Sequence, residues 1–134
     1  MGQNFEVDID GNVTIKGRLN LDSDVTIDQT YLTANQNKIN PTGLDGCNRL
    51  IVDCTVNTTI KGINAPAAGI NQTLLIVNIG TAELKIEDEA GAATDVEDRV
   101  VNENTKDEKL KGGGGLIITY IHSELRWFSL ASRT

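Results

Sequence analysis

Residues 5–27 read FEVDIDGNVTIKGRLNLDSDVTI. The odd positions are Phe5, Val7, Ile9, Gly11, Val13, Ile15, Gly17, Leu19, Leu21, Ser23, Val25 and Ile27, and every even position between them is polar. A repeat of two places alternate side chains on one face of an extended strand. The phase survives Asp10-Gly11 and Lys16-Gly17, two pairs that favour turns. A lone strand of this kind has one uncovered apolar edge and unpaired backbone groups, so it needs neighbours. They come either from the rest of the chain or from two further copies around a threefold axis. The second arrangement buries all the odd positions together, leaves the charged even positions wet, and is the one the pattern favours. The candidate interface is therefore Phe5, Val7, Ile9, Val13, Ile15, Leu19, Leu21, Val25 and Ile27.

Downstream, NQNKINPTGLDG over residues 35–46 is rich in Asn, Gly and Pro, the residues of turns. This stretch sets a boundary between an N-terminal β arm, residues 1–45, and a head, residues 46–134. The head opens with short apolar runs separated by turn signals: RLIVDCTV from Arg49, TTIKGI from Thr58, TLLIVNIG from Thr73 and AELKIED from Ala82. Residues 87–111 carry little apolar content and read as a surface loop with one short strand or helical turn. GGGGLIITYIHSELRWFSL, residues 112–130, reads as a hairpin with its turn at His122-Ser123-Glu124. Strong helical periodicity appears nowhere. The expected fold class is all-β, an extended trimeric stalk followed by a jelly-roll-like β-sandwich head. Only 4% of residues are aromatic, so Val, Ile and Leu must build the core.

The chain has 134 residues, room for one domain and a short appendage, and a formal net charge of −7. That charge repels a phosphate backbone, and the Lys and Arg residues are scattered, so nucleic acid is not an expected partner. No run approaches the roughly 18 apolar residues of a membrane helix, and MGQNFEVDID lacks the basic and apolar regions of a secretory signal, so a soluble cytoplasmic product is expected. Glu6 stands where a myristoylation signal needs Ser or Thr. Cys47 and Cys54 are seven apart, on opposite faces if one strand holds both, and read as two buried thiols. With one histidine in the chain they are too few for a zinc site.

No nucleophile motif, zinc-protease motif or phosphate loop is present, and the glycines at 112–115 lack the Lys-Ser/Thr of a P-loop. Catalytic residues, cofactors and metal are accordingly expected to be absent; the four glycines suit a loop, a bulge or a close backbone approach. Asp8, Asp10 and Asn12 resemble the start of a calcium loop, but the twelfth position is Leu19 rather than Glu. Asp22, Asp24 and Asp28 extend the same acidic face. His122 and Glu124 are the candidates for a ligand or receptor contact. Trp127 is expected in the core or a subunit interface, with Arg126 paired to an acidic residue across the strand.

LLIVNIGTAELKIEDEAGAATDVEDRVVN followed by glycines and LIITYIHSELRWFSL resembles a domain recurrent in phage tail-fibre, head-fibre and other virion appendage proteins. The matching positions are Leu75, Val77, Asn78, Gly80, Thr81, Leu84, Ile86, Arg99, Gly112 to Gly115, Ile118, Thr119, Tyr120, Arg126 and Trp127. DGNVTIKGRLNLDSDVTI is similar to the repeats of trimeric phage stalks. Ile121 and His122 depart from the small-residue turn usual before the Arg-Trp close. The resemblance implies a non-enzymatic structural virion protein: a homotrimeric capsid decoration, cement or short-fibre component. It would attach through its N-terminal segment to the major capsid protein or to a tail or neck component. The alternative it implies is a receptor-binding tail-fibre tip that recognises host-surface polysaccharide through a host glycan contact. A carbohydrate-processing domain would need two carboxylates in a groove, and acidic residues are too many here to single out a pair.

Overall fold

The computed structural model describes residues 5–7, 9–11, 13–15, 26–91 and 95–134. Within them the chain is built of strands and two single-turn 3-10 segments, Val96–Asp98 and Glu103–Thr105. The all-β expectation holds. Strands β1 (Phe5–Val7) and β2 (Val13–Ile15) form an antiparallel pair, with Phe5 opposite Ile15 and Val7 opposite Val13. The alternation that reads as one continuous strand is thus folded back on itself, around Gly11 at φ 81°. Pairing satisfies backbone groups that a lone strand leaves open, and glycine accepts the left-handed turn.

The head winds. Strands β3 (Thr26–Leu32), β4 (Arg49–Cys54) and β6 (Thr73–Asn78) lie side by side and parallel, with Ile27 beside Leu50 and Leu50 beside Ile76. A second sheet repeats the pattern. Strands β5 (Thr58–Ile60) and β7 (Leu84–Ile86) are parallel, and single bridges join Gln36 to Ile60 and Ile39 to Ile63. Each pass of the chain therefore returns one strand further on after 22 to 26 residues, Leu32 to Cys54 being the shortest return and Leu50 to Ile76 the longest. Parallel neighbours need a long crossover, usually a helix. Here the second sheet is the crossover.

The C-terminal third reverses direction. β9 (Glu108–Leu110) runs antiparallel to β7, β10 (Gly115–Ile121) antiparallel to β6, and β11 (Arg126–Arg133) completes the expected hairpin. The short β8 (Val100–Val101) pairs parallel with β11, giving the six-stranded order β3-β4-β6-β10-β11-β8 and the three-stranded order β5-β7-β9. Both sheets are mixed, whereas a jelly roll is antiparallel throughout. Residues 26–45 belong with the head rather than with the arm: β3 lies in the larger sheet, and Leu32, Ile39 and Leu44 are buried in the common core.

Inward positions of neighbouring strands stack in rows. Leu50, Ile76 and Leu116 form one row and Ile60 with Ile86 another, all fully buried. Each such side chain contributes about 1.5 to 3 kcal/mol relative to exposure. Trp127, also fully buried, donates from Nε1 to the carbonyl of Ile63 at 3.0 Å, as the core reading of that residue expects. Both cysteines are free and buried.

The corners repeat as well. Thr33-Ala34-Asn35, Thr55-Val56-Asn57 and Thr81-Ala82-Glu83 follow the ends of β3, β4 and β6. The Asn35 Oδ1 accepts from the Thr59 amide at 2.8 Å, and one pass later Asn57 Oδ1 accepts from Glu83 at 3.0 Å. Between passes, Asn78 is fully buried. Its Nδ2 donates to the carbonyls of Ala82 and Leu110 at 2.8 and 2.9 Å, and its Oδ1 accepts from the amides of Gly80 and Cys54 at 3.0 and 3.5 Å. A methyl on Gly80 would overlap the Cys54 backbone, and one on Gly112 would lie 2.6 Å from the Gly80 carbonyl. Gly112 and Gly114 serve a close backbone approach, whereas Gly113 takes a left-handed turn at φ 83° and donates to the Asn78 carbonyl at 2.7 Å.

Replacing Asn78 by Ala removes four bonds to backbone groups, three of them buried, and is expected to cost at least about 3 kcal/mol in urea unfolding, against about 1 kcal/mol for Asn57→Ala, which loses one exposed bond. Equal losses would show that the buried amide does not carry the corner.

Candidate functional groove

The β10–β11 turn brings sequence-distant groups together. It closes through Glu124 N–H to the Ile121 carbonyl at 3.1 Å and Leu125 N–H to the His122 carbonyl at 3.2 Å. Leu125 sits at φ 51°, a left-handed conformation that costs a non-glycine residue about 1 to 2 kcal/mol, and its side chain is half exposed. Below the turn, the 64–68 segment and the 3-10 turn at Val96–Asp98 bound a groove of about 430 Å³. Its lining includes Lys38, Ala65, Pro66, Asp95, Glu97, Asp98, Tyr120, His122 and Leu125.

Asp98 anchors this region. It is buried, its Oδ1 accepts from the Ala65 amide at 2.8 Å, its carbonyl accepts from the Ile63 amide at 2.9 Å, and its Oδ2 pairs with Lys38 Nζ at 3.0 Å. The hydrogen bond to Asp98, together with its charge, holds the Lys38 ammonium above the usual lysine range. Asp95 and Glu97 are exposed.

Tyr120 forms the floor and is 5% exposed. Its ring meets Trp127 edge-on at 5.3 Å and His122 at 4.9 Å. Burial, reinforced by the charges of Glu97 and Asp98, pushes its phenol above the usual value. The group is therefore a neutral hydroxyl at neutral pH, fit to donate or accept a hydrogen bond rather than to attack as a phenolate. His122 is half-buried and bonds through Nε2 to the Ile70 carbonyl, which can only accept, so Nε2 carries the hydrogen. Burial pushes the Cys54 thiol up to about 11, so it too is held as the neutral form.

Of the two residues singled out for ligand contact, His122 lines the groove and Glu124 stays outside its lining, exposed in the turn. Arg126 pairs with Glu89, Nε to Oε1 at 2.6 Å. Among the arm residues, Phe5, Val7, Val13 and Ile15 are in the β1–β2 pair, Ile9 is fully exposed at its turn, and Ile27 is in β3 beside Leu50. Leu19, Leu21 and Val25, like Asp22 and Asp24, lie outside the described residues. Among the described residues no three His, Cys, Asp or Glu side chains are placed to share a metal ion, and no helix is long and apolar enough to cross a membrane. Lys38, Asp95, Glu97 and Asp98 escape a sequence reading because the ion pair joins residues sixty positions apart. Comparison with protein-family models, with curated proteins and with solved structures finds no match to this chain.

Lys38→Met leaves the Asp98 carboxylate without its counter-charge and is expected to lower stability by about 1 to 3 kcal/mol at neutral pH. Because the folded-state lysine is raised, the stabilisation is complete below the ordinary value of 10.5 and fades as pH rises past the folded value. Urea unfolding of both proteins should therefore show the difference closing above that pH; a gap that instead closes on acidification through neutrality would contradict the pairing.

Proposed function

We propose that this chain is a non-enzymatic structural protein of a phage particle, a homotrimeric capsid decoration, cement or short-fibre component that attaches through its N-terminal segment. In this reading the two-sheet head projects as a sandwich-like body, and the partners are two further copies and a capsid, tail or neck protein. The observation that carries it is the odd-numbered apolar series at the N-terminus. A pair of three-residue strands is not independently stable in water, and the main contacts of β1 and β2 are with each other. Phe5, Val7, Val13 and Ile15 keep their alternation across the turn, opposite one another in the ladder. Partner surface that covered each would contribute about 1.5 to 3 kcal/mol. The resemblance of both chain halves to stalk and head-fibre sequences supports the setting.

A second reading, a tail-fibre tip for host polysaccharide, draws on the groove at His122. The enclosure of Tyr120 and Trp127 counts against it, since sugars are commonly stacked on an exposed ring face.

Light scattering tests the first reading. The wild type is expected to be trimeric at micromolar concentration, and Val13→Asp with Ile15→Asp to be monomeric with an unchanged far-ultraviolet spectrum of the head, because like charges meet at the axis. Glu6→Ser with Thr14→Ser should remain trimeric. A monomeric wild type, or a trimeric double aspartate variant, refutes the stalk.

A further inference from the structure

The groove at the β10–β11 turn has two carboxylates and a hydroxyl that no other side chain bonds directly among the described residues, although the carboxylates add to the field on Lys38. Asp98 and Lys38 neutralise one another, and both Asp98 carboxylate oxygens are occupied. Asp95 and Glu97 remain, two exposed carboxylates with no hydrogen bond or ion pair to their side chains among the described residues. Tyr120 supplies the independent observation. Its side chain is nineteen-twentieths buried and lines the groove, yet its hydroxyl has no hydrogen-bond partner among the described residues. The hydroxyl opens onto the groove, where a bound group can take the place of water as its partner.

We propose that this groove receives a basic side chain, arginine or lysine, presented by a partner polypeptide. The cation would lie between the Asp95 and Glu97 carboxylates and donate to the Tyr120 oxygen, the charge-assisted geometry in which arginine is strongest. Ala65, Pro66 and Leu125 would cover its methylene stem, as apolar surface does for long basic side chains elsewhere. The chain's net charge of −7 draws a basic partner to the surface before contact. A saccharide fits less well, because the rings that could stack on it are buried against one another. The proposal does not rest on trimerisation, since every group it uses belongs to one head.

The test uses the isotopically labelled full chain and amide chemical shifts. The probes are a capped Gly-Arg-Gly peptide, its citrulline counterpart, which keeps the shape and loses the charge, and a neutral trisaccharide. The arginine peptide is expected to shift the amides of Val96, Tyr120, His122 and Leu125 saturably. Affinity should fall about tenfold or more for the citrulline peptide and for Asp95→Asn with Glu97→Gln, and about fivefold for Tyr120→Phe. The spectra themselves report whether each variant is folded. Equal binding of arginine and citrulline peptides, indifference to the carboxylate variant, or no saturable shift at millimolar peptide would each overturn the proposal. So would shifts at these amides with the trisaccharide alone, which would assign the groove to sugar.

Discussion

The side-chain amide of Asn78 bonds to backbone at four places: the end of β4 at Cys54, its own turn at Gly80, the entry to the second sheet at Ala82, and the returning chain at Leu110. Each bond exchanges a contact with water for one inside the protein and is worth only about 1 kcal/mol net, but losing the amide would strand buried donors and acceptors together. The neighbouring glycines follow from the same constraint. With the passes this close, Gly80 cannot carry a side chain without overlapping Cys54, and Gly112 brings the reversing segment against the same corner, while Gly114 lets it pass close to the carbonyl of Arg133. The switch from parallel winding to antiparallel return takes place around this one buried residue.

Much of the strand content is legible in the sequence, because apolar runs bounded by turn residues mark most of the longer strands. The alternate burial of β4, β6 and β10 matches the apolar runs at 49–54, 73–78 and 115–121. Strand neighbours are not legible in the same way. Alternation states which face a residue takes, and a strand one pass away and a strand across a hairpin make identical demands on it. Residues 35–46 pose a related ambiguity: Asn, Gly and Pro mark a change of direction, and a corner within a winding head has the composition of a linker between domains. Asn35 and Ile39 are structural members of the second sheet's corner. The short Thr-x-Asn echo at 33–35 and 55–57 was the available signal.

The groove shows the limit more sharply. His122 could be found, being the one histidine and placed in a turn. Lys38 and Asp98 could not, since neither belongs to a local pattern and the pair exists only because the first and third passes come into contact. That pair fixes the 64–68 segment through the Ala65 amide and so fixes the groove wall. Arg126 and Glu89 brace the opposite side of the turn, at the root of β11.

The winding of β3, β4 and β6 has a consequence for how such a head can change over time. Every pass meets the one before it through the same ladder and the same corner bond, so the cross-section of the core is set by a single pass and the height by their number. Duplication of one pass of 22 to 26 residues, corner included, would add a strand to each sheet and lengthen the body by about 4.8 Å while leaving the reversing cap unaltered. Inserted between the first and third passes, it would part Lys38 from Asp98 and rebuild the groove wall, so height and groove chemistry are inherited together.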